Sequence, residues 1–196
     1  MELRAPAVRA AEKAISAQKR TYFLCAGHRG KGTGAHGYFD EAEEAIYLRD
    51  KIAKVLRDHG CMVVVDDNKA DLNTVANAIN AKCGVDDISV DIHFNAAGSQ
   101  QANGTEVLMR TKYTTKDKLL AHTLQNVIVN TLATNSRGVK TEEKSQYKSL
   151  KMLSGIKCTA VLLEVCFCTN ASDASAYQQH SYDLAINIAN ALMKTL

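Results

Sequence analysis

The sequence predicts a single α/β domain built on a largely parallel, twisted sheet with helices on both faces. Two observations lead there. Short β-branched runs alternate along the chain with amphipathic helical stretches, the pattern of strands joined by helical crossovers. The clearest of these runs, AVLLEVCF, is continuously apolar around one carboxylate, as in strands buried on both sides. A chain of 196 residues is long enough for one core of ordinary size without disulfides. Pro6 is the only proline and no Ser-rich linker divides the sequence, so one domain is expected over 21–196.

In order, residues 1–20 form a basic arm expected to be helical, and TYFLCA (21–26) opens the sheet as a β-branched and aromatic run. A glycine-rich loop leads to an acid block, Asp40, Glu41, Glu43 and Glu44. Acids complement a helix dipole at its start, so a helix is predicted over 41–58. CMVVVD (61–66) is the next strand, a helix follows near 71–82, and ISVDIHFN (88–95) alternates with period two. GTEVLMR (104–110) is a strand, 115–133 a helix, SLKML (149–153) a further strand, AVLLEVCF (160–167) a buried strand and 173–194 a closing helix.

Composition excludes several function classes. Apolar residues make up 46% and charged ones 23%, a balance typical of globular chains. No apolar run approaches the ~20 residues of a membrane span. The net charge of +3 equals the excess of five Lys or Arg over two Glu within residues 1–20, leaving the body formally neutral. Nucleic acid is therefore not the expected partner, because phosphate binding needs clustered cations. Charged residues interrupt the first 20 positions, so they do not read as a secretory signal. The six cysteines lie mostly in apolar runs and are expected to be reduced thiols of a cytosolic product. Cys166 and Cys168 form only a CxC, without a second pair at zinc-ribbon spacing.

Glu164 stands out because Val161, Leu162, Leu163, Val165 and Phe167 surround it. A buried carboxylate needs a cation, strong hydrogen bonds or a raised pKa. In ISVDIHFN the alternation puts Asp91, His93 and Asn95 on one face. His93 then lies near the carboxyl end of a strand, where open sheets build sites. His28 follows the first strand directly and precedes a loop and an acid block. One imidazole and one carboxylate from this segment suit a metal such as zinc, which takes nitrogen and oxygen ligands. His36, at mid-loop, is the alternative histidine. Glu41 shares a helix side with Ala45 and Ile52, and Glu44 is its rival. Gly32, Gly34 and Gly37 spell a formal GxGxxG, with Asp66 ending the next strand. That competing dinucleotide motif starts six positions after Ala26, not directly after the strand, and leads to carboxylates where a pyrophosphate would rest.

Together these segments resemble the zinc-dependent N-acetylmuramoyl-L-alanine amidases of the type 3 family, found in bacterial cell-wall hydrolases and phage endolysins. AGHRGKGTGAHG resembles the opening PGHGG...G motif, with its zinc histidine at His28; DEAEEAIYLRDKIAKVL the helix beginning with the zinc glutamate, at Glu41. DIHFNAA resembles S-[IL]-H-x-N-[AS], with the second zinc histidine at His93, and GTEVLM the strand after it. AVLLEVCFCTNASD resembles [VL]-L-[VL]-E-x-[GA]-F-x-[ST]-N-xx-D, whose catalytic glutamate falls at Glu164. The likeness covers roughly residues 21–196. Arg29 stands where glycine follows the first histidine, Cys166 where a small residue is usual, and Ala45 where asparagine often lies four positions after the zinc glutamate.

The resemblance implies one Zn²⁺ on His28, Glu41 and His93, Glu164 as catalytic carboxylate, and Asn95 and Arg137 at the substrate. The expected reaction is hydrolysis of the amide joining N-acetylmuramic acid to L-alanine of peptidoglycan, for cell lysis. An enzyme made in the cytoplasm without a signal peptide would reach the wall after holin-type release or lysis. A non-catalytic wall-binding module on the same fold is the second reading.

Overall fold

A computed structural model of the chain describes residues 19–28 and 32–195. Apart from Lys19 and Arg20, the basic arm expected over 1–20 lies outside the described residues, as does Arg29. Six strands, β1 (Thr21–Ala26), β2 (Met62–Val65), β3 (Ile88–Asn95), β4 (Thr105–Met109), β5 (Ser136–Thr141) and β6 (Thr159–Phe167), form one sheet in the order β2-β1-β3-β6-β4-β5. The helices are α1 (Glu41–Asp58), α2 (Leu72–Lys82), α3 (Thr115–Leu132), a short α4 (Lys151–Ser154) and α5 (Ala171–Thr195). No described helix is long and apolar enough to cross a membrane.

Strand alternation divides the core in two. Tyr22, Leu24, Val90, Ile92, Val161 and Leu163 face α1, α3 and α5, while Phe23, Cys25, Ala160 and Leu162 face α2 and α4. The six cysteines are free thiols, five of them buried. Neighbouring strands are parallel except β4 and β6, which pair antiparallel with Glu106 opposite Glu164. The reversal follows from the connection: no helix intervenes between β3 and β4, and a parallel return needs a long crossover.

Each helix is bounded by local chemistry. The Asp40 side chain accepts the Glu43 N–H at 3.0 Å and so starts α1. Gly60, at φ 78°, ends it, with Gly60 N–H bonded to Arg57 O and Cys61 N–H to Leu56 O in a Schellman turn. Thr114 and Asp117 make a reciprocal capping box on α3.

Two sequence expectations are corrected. Residues 149–153 are not a strand: the buried Glu142 carboxylate accepts the Leu150 N–H at 2.7 Å and Ser154 Oγ at 3.1 Å, holding this segment as the entry and turn of α4. β5 was not expected, because SRGVKT holds one apolar residue and a glycine at φ 82°. Its strand character comes from pairing with β4 at the sheet edge, where charged side chains are tolerated.

Asp173, at the start of α5, fastens the carboxyl end of β6 to the entrance of β4. Its Oδ2 accepts Gly104 N–H at 2.7 Å and Phe167 N–H at 2.9 Å, both buried. Asp173→Ala strands both donors, each worth about 1–3 kcal/mol when left unsatisfied. Chemical denaturation is expected to show a loss of roughly 2–4 kcal/mol; a change below ~0.5 kcal/mol, the surface-substitution range, would contradict this.

Candidate metal centre

The site lies at the carboxyl ends of β1 and β3, where α1 begins. Glu41, the first residue of α1, is 5% exposed at its side chain, and each of its oxygens is doubly engaged. Oε1 accepts the Phe94 N–H at 3.1 Å and lies 3.2 Å from His93 Nδ1. Oε2 accepts the Ala35 N–H at 2.8 Å and lies 3.0 Å from His28 Nε2. Burial alone would push the Glu41 carboxyl up, but hydrogen bonds from His28, His93 and Ala35 hold it well below the usual carboxylate range.

Both imidazoles are set by backbone as well as by side chains. His28 leaves β1 in the left-handed region at φ 71°, a conformation that costs a non-glycine residue about 1–3 kcal/mol and collects at functional sites. A Cβ on Gly27 would stand 2.4 Å from the His93 ring, and one on Gly34 2.5 Å from the His28 ring. The glycines of this loop therefore admit two imidazoles. At the helix start beyond them the carboxylates of Asp40 and Glu41 take the Gly32 and Ala35 N–H groups, donors that the dinucleotide reading would give to a pyrophosphate.

His28, Glu41 and His93 form a group whose ligand atoms lie within 4.8 Å of one another. Two imidazole nitrogens and a carboxylate oxygen suit Zn²⁺ with an open fourth position. Burial disfavours a charged His93, yet Asp91, Glu41 and Glu164 raise its pKa well above the ordinary value. Surroundings that favour a cation on the ring favour a metal cation beside it.

The rivals fall elsewhere. Glu44 turns to α5, where its Oε2 accepts the Tyr177 hydroxyl at 3.0 Å. His36 is exposed and meets Asp40 at 3.2 Å. Asp66 accepts the buried Arg49 guanidinium at 2.8 Å and the Ala26 N–H at 3.2 Å, a tie beneath the end of β1.

Glu164 pairs in register with His93 on one side and Glu106 on the other. Its Oε2 is shielded from solvent and has no hydrogen-bond partner among the described residues. Burial, reinforced by Glu41, Glu106 and Asp91, pushes its carboxyl up to about 8 against the pull of His93. Glu106 gathers the next shell: Asn95 Nδ2 donates to it at 3.1 Å, Arg137 Nε at 2.9 Å, and Lys140 Nζ also reaches it. The Arg137 guanidinium lies 5.0 Å above the Phe167 ring, exposed beside Glu164's strand. Asn95 Oδ1 accepts the Ala96 N–H at 3.1 Å, so its amide is engaged at both ends.

Sequence reasoning missed Asp91, Glu106 and Lys140 as site residues. The alternation in β3 had already put Asp91 on the His93 face, where the motif this strand resembles has serine. Glu106 carried a signal too, as the one acid in GTEVLM.

Residues 23–194 match the sequence profile of N-acetylmuramoyl-L-alanine amidases. The chain is 32% identical over 165 residues to N-acetylmuramoyl-L-alanine amidase LytC of Bacillus subtilis strain 168, a match covering 83% of this chain and 32% of LytC, so it spans about a third of that relative. It is 30% identical to the uncharacterized protein YqiI of the same strain, over 93% of this chain and 88% of YqiI. The fold matches that of N-acetylmuramoyl-L-alanine amidase AmiC2 of Nostoc punctiforme with a TM-score of 0.77 at 21% identity, covering 90% of this chain and 96% of that one.

Gly34→Ala should weaken divalent-metal binding at least tenfold by crowding His28. Gly32→Ala, equally left-handed at φ 82° but with no heavy atom within 4 Å of the added Cβ, should cost stability without that loss. Competition with a chromogenic chelator measures both, and equal affinities would contradict the role given to Gly34. In the metal-free protein the unfolded Glu164 carboxyl loses its proton near 4.5 and the folded one near 8. Between those values the folded state holds the extra proton, so stability falls as pH rises. Glu164→Gln removes that fall: its denaturation midpoint should gain on wild type between pH 5 and pH 8.5, and a difference constant with pH would contradict it.

Proposed function

The chain belongs to the N-acetylmuramoyl-L-alanine amidase family, and we propose that it is a zinc hydrolase cutting the amide between the lactyl group of N-acetylmuramic acid and L-alanine of the stem peptide. The observation that carries this reading is the convergence of His28, Glu41 and His93 beside Glu164, a half-buried carboxylate whose shielded Oε2 has no hydrogen-bond partner among the described residues. These three residues would hold the ion. When bound, zinc supplies Lewis acidity, stabilising charge on the carbonyl oxygen and lowering the pKa of water to about 7.

The protein's own groups do the rest. With a cation held by His28, Glu41 and His93, the Glu164 carboxyl would fall from its raised value and its carboxylate would be available at neutral pH. Its Oε2 takes a proton from the attacking water as the C–O bond forms. The same oxygen then passes that proton to the alanine nitrogen as the C–N bond breaks, releasing a lactyl carboxyl group and a free amine, and the water's second proton moves from that carboxyl to the amine to leave carboxylate and ammonium. Arg137 and Lys140, held on Glu106 next to Glu164, border the path by which the stem peptide enters. Arg137 keeps a stacked, solvent-facing guanidinium for it, and Asn95 fixes the other side of Glu106.

Purified protein is expected to retain about one zinc per chain and to release stem peptide from isolated sacculi. Glu164→Ala should keep the metal and lose activity by about 10²–10⁴, the range for a general acid–base group. Full activity in that variant would overturn the mechanism, and wall binding without release by the wild type would mark a binding module instead.

A further inference from the structure

Apart from Glu41 and Glu164 of the site itself, the buried carboxylates among the described residues accept interior backbone N–H groups, with one exception. Asp117 accepts the Thr114 and Ala160 N–H groups and pairs with Arg110. Asp173 accepts Gly104 and Phe167 N–H, Glu142 accepts Thr111 and Leu150 N–H, and Asp87 accepts Thr21 and Gly84 N–H. In each case backbone donors in the interior would be orphaned without the acid.

Asp91 is different. It is 4% exposed, and its strand neighbours in register are Cys25 and Leu162, neither of which offers a charge. Arg49, a buried cation, is committed to Asp50, Asp66 and Asn68. Among the described residues, the one hydrogen-bond partner of the Asp91 side chain is His93, with Oδ2 at 3.2 Å from Nε2. Holding a carboxylate in the interior for one imidazole costs stability, and nothing in the packing returns it.

Resting on the metal site proposed above, we propose that Asp91 is a positioning residue for His93: its carboxylate takes the Nε2–H and leaves Nδ1 as the metal-binding nitrogen. A neutral imidazole has one donor and one acceptor nitrogen. With an ion held, Glu41 would serve as a ligand and Asp91 would be left as the acceptor facing the ring, so the ring hydrogen belongs on Nε2 and the lone pair on Nδ1. Nδ1 is also the nitrogen facing Glu41, 3.2 Å from Oε1, and Glu41's other oxygen faces His28. Because Asp91 and His93 are two apart on one strand, they project from the same face, and β3 itself fixes their spacing. A carboxylate behind a ligating histidine locks ring orientation and raises ligand basicity, and losing such a partner costs 10–100-fold in metal affinity.

Two readouts on the full chain test this: Zn²⁺ affinity by chelator competition, and the ring nitrogens of His93 by ¹⁵N NMR with and without zinc. Asp91→Ala should lose 10–100-fold in affinity. Asp91→Asn, which still accepts a hydrogen bond but lacks the charge, should fall between it and wild type. The spectrum should show His93 protonated at Nε2 in the zinc-loaded protein. Affinities of both variants within twofold of wild type would overturn the proposal, as would a ring protonated at Nδ1 in the zinc-loaded protein. If Asp91→Ala does not fold, Asp91→Asn and the wild-type spectrum still decide. A wild-type chain that takes up no zinc would instead overturn the function proposed above, and the positioning role of Asp91 with it.

Discussion

The carboxylate of Glu41 joins three parts of the chain that the sheet alone would not bring together. Through Oε1 it holds the Phe94 amide and His93 at the end of β3; through Oε2 it holds the Ala35 amide and His28 in the loop after β1. Two backbone donors tolerate a buried anion, and their directions fix where its remaining lone pairs point. The same contacts set the angle at which α1 enters, since Glu41 is the helix's first residue. Asp40, one position earlier, takes the cap of α1 and leaves Glu41 free to turn inward.

Charge balance around that hub explains why a cation belongs there. Glu41, Asp91, Glu106 and Glu164 lie on one end of the sheet, and their mutual repulsion, added to burial, is what raises Glu164. Arg137 and Lys140 answer Glu106 and lower its carboxyl against the effect of burial. Among the described residues no Arg or Lys pairs with Glu164, and its Oε2 has no hydrogen bond there. A divalent ion between the two histidines would supply the missing positive charge, lowering Glu164 while keeping it unpaired and reactive. The left-handed backbone at His28 is consistent with this, as strain retained where function uses it.

Much of this was legible in the sequence because local chemistry and global fold agree. β3 reads correctly because ISVDIHFN alternates with period two, and α1 because acids mark its start and Gly60 its end. Other features depend on partners distant in sequence. Glu41 and Glu44 are three apart on one helix side, and only the approach of Tyr177 from α5 separates their roles. β5 exists through its pairing with β4, not through its own pattern. SLKML is too short for periodicity to decide, and the Glu142 carboxylate settles it as a helical turn. Asp91 was visible on the right face, but that His93 is its side chain's one hydrogen-bond partner among the described residues could be seen only in three dimensions.

The proposed zinc hydrolase requires one ion held by His28, Glu41 and His93. Anomalous diffraction at the zinc edge from crystals of the zinc-loaded chain tests it directly. The account predicts a single strong peak about 2.0–2.2 Å from a Glu41 oxygen and from one nitrogen of each histidine. A peak ligated by Glu44 or His36, or none near Glu41, would contradict it.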